Sequence, residues 1–156
     1  MKNRRPLDES AARDSALRAL ARREHSAAEL KSKLTRRGHD EQTAVGIVER
    51  LAGYGLQSDG RYAEMLARNR MQQGYGPLRI EAELAAAGID DAEAAAAIAE
   101  LECDWSERAR QVCRRKFKSA PADAADWQRQ YRFLAARGFE SEQIRAALKG
   151  GVDEPE

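Results

Sequence analysis

The sequence predicts an all-α fold: three tandem three-helix repeats in an elongated, curved array. Three observations lead to it. Apolar residues recur three and four apart along most of the chain, as one face of a helix requires. No segment alternates apolar and polar residues with β-branched enrichment, so no strand is expected. A leucine–glycine–acid signature returns every 50 residues: Leu34, Leu84 and Leu134; Gly38, Gly88 and Gly138; Asp40, Asp90 and Glu140.

Each element follows from its boundary chemistry. A first helix near 8–24 carries an apolar stripe of Leu17, Leu20 and Ala21. Ser26, with Glu29 three residues on, forms a capping box for a helix near 26–37 built on Leu30 and Leu34. Gly38 ends that helix in a left-handed turn, and Asp40 caps the next, near 40–53, whose stripe is Ala44, Ile47, Val48 and Leu51. Gly53 and Gly55 close it, and Asp59 opens a helix near 58–73. Gly74-Tyr75-Gly76-Pro77 breaks the chain, with Pro77 suited to the first turn of a helix near 77–87. Gly88 and Asp90 then repeat the stop and start, giving a helix near 90–102. The last three helices fall near 104–118, 123–137 and 140–149, with a longer link at Ser119-Ala120-Pro121-Ala122. The expected organisation is repeats at 8–57, 58–102 and 103–150, between flexible ends at 1–7 and 151–156.

Composition narrows the function. Of 156 residues 34% are charged, yet Lys+Arg 27 against Asp+Glu 26 leaves a net charge of +1, so the whole molecule is no indiscriminate polyanion binder. The charge is uneven: residues 1–60 carry net +3, 61–100 net −3 and 101–156 net +1. The longest apolar run, Ala94 to Ala99, is far short of the ~20 residues that span a bilayer. Met1 to Leu7 leads into no apolar stretch, so no secretory signal is expected. Cys103 and Cys113, placed on one helix and so about 15 Å apart by helical rise, cannot pair, and a reducing cytoplasm is the expected location.

Catalytic, cofactor and metal sites are not expected. His25, before a helix, and His39, in a turn, lack partners at triad or ligand spacing, and the two cysteines lack zinc spacing. The glycines at 74 and 76 lack a P-loop lysine. Trp105 and Trp127 read as packing residues. A helix-turn-helix reading of 26–51 fails because Asp40 and Glu41 would face phosphates, and Asp90, Asp91 and Glu93 are worse.

Two basic clusters remain as candidate contacts with phosphates or an acidic protein surface. One is Lys31, Lys33, Arg36 and Arg37. The other is Arg108, Arg110, Arg114, Arg115, Lys116 and Lys118, with Arg110, Arg114 and Lys118 in line at i, i+4 and i+8. Both sit on the basic flanks of an acidic middle. With no obvious extra apolar patch, a monomer is expected.

Several segments, taken in order, resemble the bacterial RecX family of regulatory proteins. Arg23-Glu24-His25-Ser26-Ala27-Ala28-Glu29-Leu30 with Leu34 and Gly38 resembles its opening. Leu51 to Ala63, containing Asp59 and Tyr62-Ala63, resembles its first junction. Arg70, Gly74, Gly76-Pro77, Ile80, Leu84 and Gly88-Ile89 resemble its middle repeat, and Arg137-Gly138-Phe139 its last. The resemblance covers roughly residues 10–150. It implies three tandem three-helix repeats and no catalytic residues. It also implies a partner, the recombinase RecA and its filament on single-stranded DNA. Such a regulator would lie in the filament groove, block extension or promote disassembly, and suppress strand exchange, ATP hydrolysis and co-protease activity in the SOS response. Weak direct DNA contact is a second expectation. The alternative is a helical-repeat scaffold for some other protein.

Overall fold

The computed structural model describes residues 8–149, all of whose regular structure is helical. The helices are α1 (Glu9–Arg22), α2 (Ala27–Arg36), α3 (Glu41–Gly53), α4 (Asp59–Gln72), α5 (Pro77–Ala86), α6 (Asp91–Glu100), α7 (Trp105–Phe117), α8 (Ala124–Ala136) and α9 (Ser141–Leu148). The expected flexible ends, 1–7 and 151–156, lie outside the described residues.

Side-chain caps start most helices. Asp8, Ser26, Asp40, Ser58, Asp90, Asp104 and Asp123 each accept from a free backbone N–H of the following turn. The expected capping box of Ser26 and Glu29 is formed in full. Helix α4 opens at Asp59, as the sequence reading has it, with Ser58 as its cap. Asp59 is spent elsewhere, accepting from Ala27 N at 2.8 Å and from Gln57 Nε2 at 2.9 Å, and so ties the second repeat to the first.

The recurring glycine is required by its backbone. Gly38, Gly88 and Gly138 have φ of 99°, 81° and 91°, a region costly for any residue with a Cβ. Each allows the following amide to turn back: His39, Ile89 and Phe139 donate to the carbonyls of Leu34, Leu84 and Leu134 at 3.1, 3.0 and 3.2 Å. The leucine of each trio is at most 1% exposed.

Three cores result, one per helix triplet, and the main helix–helix contacts fall within triplets. The first core corrects one expectation. The buried face of α1 is Ala12, Ser15, Ala16 and Ala19, while Leu17 and Leu20 are half-buried at its edge and Ala21 is exposed. Small residues let α1 lie close on α3, and the leucines close the margin. A second correction concerns cysteine. Cys103 stands in the α6–α7 link rather than on a helix with Cys113; both thiols are free. Burial pushes both thiols above their usual range, so both are thiols rather than thiolates near neutral pH.

The 50-residue interval holds for the second and third helices of each unit but shortens for α7. Buried Ala63, Leu66 and Ala67 of α4 correspond to Ala109, Val112 and Cys113 of α7, which is 46 residues on. The longer α7–α8 link restores the spacing.

Two junctions join the repeats. At the first, Ser26 Oγ donates to Ala87 O at 2.7 Å, Gln57 Nε2 donates to His25 O at 3.2 Å, and Gly88 rests on Ala28. At the second, the amides of Gly76 and Leu78 donate to Arg137 O at 2.8 Å and Gly138 O at 2.9 Å. Ser26 and Gly76, like Ala87 and Arg137, occupy equivalent places, so the same seam is closed by a hydroxyl once and by a backbone amide once. Trp105 packs against both the second and the third core and meets Phe139 edge-on at 6.4 Å.

Candidate functional site

The predicted basic residues divide by what their charged groups touch. In repeat one, Lys31 pairs with Glu41 at 2.9 Å, Arg36 Nε donates to Ser32 O, and Arg37 donates to Ser15 Oγ. Lys33 forms no ion pair among the described residues, although Glu29 stands one turn before it on α2. Partial desolvation, with the like charges of Arg22, Arg37, Arg23 and Arg36, holds its ammonium below its usual range. The ends of α1 and α2 thus converge five cations, of which Arg22 and Arg23 were not singled out from the sequence.

The second cluster does not act as one strip. Arg108 donates through Nε and Nη2 to Met71 O at 3.2 and 3.1 Å and through Nη2 to Gln72 O at 3.1 Å, satisfying the last carbonyls of α4. Arg110 donates to Ala146 O at 3.1 Å and Ala147 O at 3.5 Å, closing the end of α9, and pairs with Glu107 at 3.2 Å. Arg114 donates to Ser119 O at 3.1 Å. Lys118 has left the helix: it is the C-cap, with φ of 67°. Arg110 and Arg114 of the expected line are therefore spent on carbonyls, while the Lys118 side chain stands exposed off the helix. Arg115 and Lys116 are exposed, and neither has a bonded partner among the described residues.

Around these two lies a groove of about 320 Å³ at the second junction. Gln72, Gln73 and Gly74 line one side. Arg108, Val112, Arg115 and Lys116 of α7, Phe133 of α8 and its C-cap Arg137 line the other. Four cations and no carboxylate form its wall. Arg137 was not predicted, because its place in the groove depends on how α8 stacks on the second repeat. Its Nη1 donates to Gln73 O at 3.4 Å, and its guanidinium lies 5.1 Å from the Tyr75 ring centre and 5.2 Å from that of Phe133. Arg79 covers Tyr75 at 4.3 Å, so two guanidiniums share one ring.

The equivalent groove at the first junction, about 540 Å³, has different chemistry. There the places of Arg108, Arg115, Lys116, Phe133 and Arg137 are held by Tyr62, Asn69, Arg70, Glu83 and Ala87. Its cations are neutralised: Arg70 pairs with Glu83 at 2.9 Å and Arg23 with Glu29 at 3.3 Å. The step from first to second groove removes both acids and adds cations. Aligning the repeats by buried positions exposes this signal in the sequence.

The remaining candidates do not converge. His25 is buried against Arg23 O, and burial lowers its pKa below 6.5. His39 is buried, and its Nδ1 has no partner among the described residues. No group of three or more metal-ligating side chains occurs among the described residues. No helix there is long and apolar enough to cross a membrane.

Family models for the first, second and third three-helix domains of RecX match residues 12–51, 58–98 and 102–148 in order. The chain belongs to the RecX family. The regulatory protein RecX of Halorhodospira halophila is 44% identical over 147 residues, covering 94% of this chain and 91% of that one. The RecX of Acidithiobacillus ferrooxidans is 47% identical over 137 residues, covering 87% of each. That of Stenotrophomonas maltophilia is 41% identical over 154 residues, 98% of this chain and 94% of its own. The crystal structure of RecX from Lactobacillus salivarius superposes with a TM-score of 0.77 at 23% identity, over 90% of this chain and 94% of that chain, which establishes the shared fold. These RecX proteins are named as regulators, and a regulatory role follows for this chain.

Proposed function

We propose that this RecX chain regulates RecA: it binds RecA and the RecA filament on single-stranded DNA and inhibits recombinase, ATPase and co-protease activity, in DNA repair and the SOS response. It acts in the cytoplasm as a monomer, by binding rather than catalysis. The observation that carries this reading is membership in the RecX family across all three repeats. The surface chemistry supports it. An array with grooves at each junction offers a long face to a large partner, and exposed cations such as Arg115 and Lys116 suit a nucleoprotein polyanion. Among the ten predicted residues, Lys33, Arg115, Lys116 and Lys118 keep charged groups without a bonded partner among the described residues, which supports them as contact candidates. Arg108 and Arg110 hold helix ends.

The test is RecA ATPase on single-stranded DNA, titrated with this protein below one per RecA. ATP hydrolysis should fall at substoichiometric ratios. Full hydrolysis at equimolar protein overturns the proposal. The alternative, a scaffold for a different protein, is separated by co-sedimentation: a RecA modulator pellets with RecA–DNA filaments, and a scaffold for another partner stays in solution.

A further inference from the structure

We infer that the groove at the second junction is a phosphate-binding site whose occupation clamps the third repeat onto the second. This rests on the chain's own geometry and holds whether or not RecA is the partner.

The repeat comparison supplies the reason for an anion. One scaffold position is built twice. At the first junction Arg70 meets Glu83. At the second the cation is kept as Lys116, but Phe133 stands in place of the acid. Lys116 thereby loses a counter-ion, while Arg115 replaces Asn69 and Arg137 replaces Ala87 beside it. Three side-chain cations around one groove repel each other, and an oxyanion between them removes that cost. Phosphate groups suit the wall better than carboxylate side chains do. The rings of Tyr75 and Phe133 flank Arg137, and the amide side chains of Gln72 and Gln73 offer neutral donors. A phosphodiester strand presents both charge and flat bases to such a wall.

The clamp follows from Arg137. Its guanidinium lines the groove, and its carbonyl accepts the Gly76 amide that closes the seam, at 2.8 Å. Gln72 and Gln73 belong to the second repeat, and Arg115, Lys116 and Arg137 to the third. A phosphate held between them favours the docked junction by its own binding energy.

The Gly76 and Leu78 amides report docking directly, because their acceptors are Arg137 O and Gly138 O across the seam. Their hydrogen exchange is measured by NMR in the whole protein, alone and with inorganic tripolyphosphate or a ten-residue oligo-dT. At a probe concentration ten times its dissociation constant, both amides should exchange about tenfold more slowly, if the probe binds only the docked form. Protection by both probes assigns the site to phosphate groups in general; protection by oligo-dT alone assigns it to nucleic acid. The variant Arg115→Gln with Lys116→Gln, at two exposed positions, should show no slowing by either probe relative to its own rates without probe. The proposal is overturned if neither probe slows these amides, if the variant is protected equally, or if poly-glutamate at matched charge and ionic strength protects as well as tripolyphosphate.

Discussion

Replacing Gly76 by alanine should pry the second and third repeats apart. The backbone of Gly76 is ordinary, with φ of −90°, so alanine meets no conformational penalty there. The obstacle is space. An added Cβ would come within 2.5 Å of the carbonyl carbon of Gly138 and the amide nitrogen of Phe139, both rigid backbone. Relief requires the seam to open, which sacrifices the Gly76–Arg137 and Leu78–Gly138 hydrogen bonds, worth about 1 kcal/mol each. Residual overpacking adds about 1–3 kcal/mol, for a total of about 3–5 kcal/mol. With a urea slope of about 2 kcal/mol/M, the midpoint should drop by about 2 M. The assay is urea denaturation followed by tryptophan fluorescence, since Trp105 packs on the cores either side of this seam. Gly46 supplies the contrast. It lies inside α3 with nothing within 4 Å of an added Cβ, so Gly46→Ala should raise stability by about 0.5–1 kcal/mol. An unchanged midpoint for Gly76→Ala, or an equal drop for Gly46→Ala, would refute the reasoning.

Two further outcomes test other parts of the structure. Arg110→Ala should cost about 1 kcal/mol, because its hydrogen bonds to Ala146 O and Ala147 O are lost from the end of α9, whereas Arg115→Ala should stay within about 0.5 kcal/mol; thermal denaturation of the pair checks both. The buried His25 takes up its proton less readily in the folded chain than in the unfolded chain, whose pKa is near 6.5. Its contribution is therefore complete above that pH and lost as pH falls through it towards the lower folded value. Urea midpoints at pH 7.5 and 5.5 should differ more for the native chain than for His25→Gln; parallel profiles would contradict this.

The helices were legible because their signals are local. A cap, a glycine at positive φ and a leucine facing inward lie within a few residues of each other, and all three recur. The site was legible only in part. The sequence groups Arg108, Arg110, Arg115 and Lys116 as one candidate contact; Arg115 and Lys116 stand exposed, whereas Arg108 and Arg110 are spent on carbonyls of α4 and α9, 36 or 37 residues away. A charge run does not disclose which of its members reach back to helix ends. Arg137 was passed over for the converse reason: no cluster surrounds it in the sequence, and its neighbours in the groove come from α4 and α7. The misread stripe of α1 has a simpler cause. Leucine is the stronger hydrophobe, but the close α1–α3 approach selects alanine.

The two seams carry different fasteners: a serine hydroxyl reaching Ala87 O at one, a bare glycine amide seated against Arg137 O at the other. A serine in the place of Gly76 would meet the backbone of Gly138 and Phe139. A shuffled gene with its modules reordered would bring a side chain to the place that tolerates none, so the order of the units is enforced by stereochemistry where they meet.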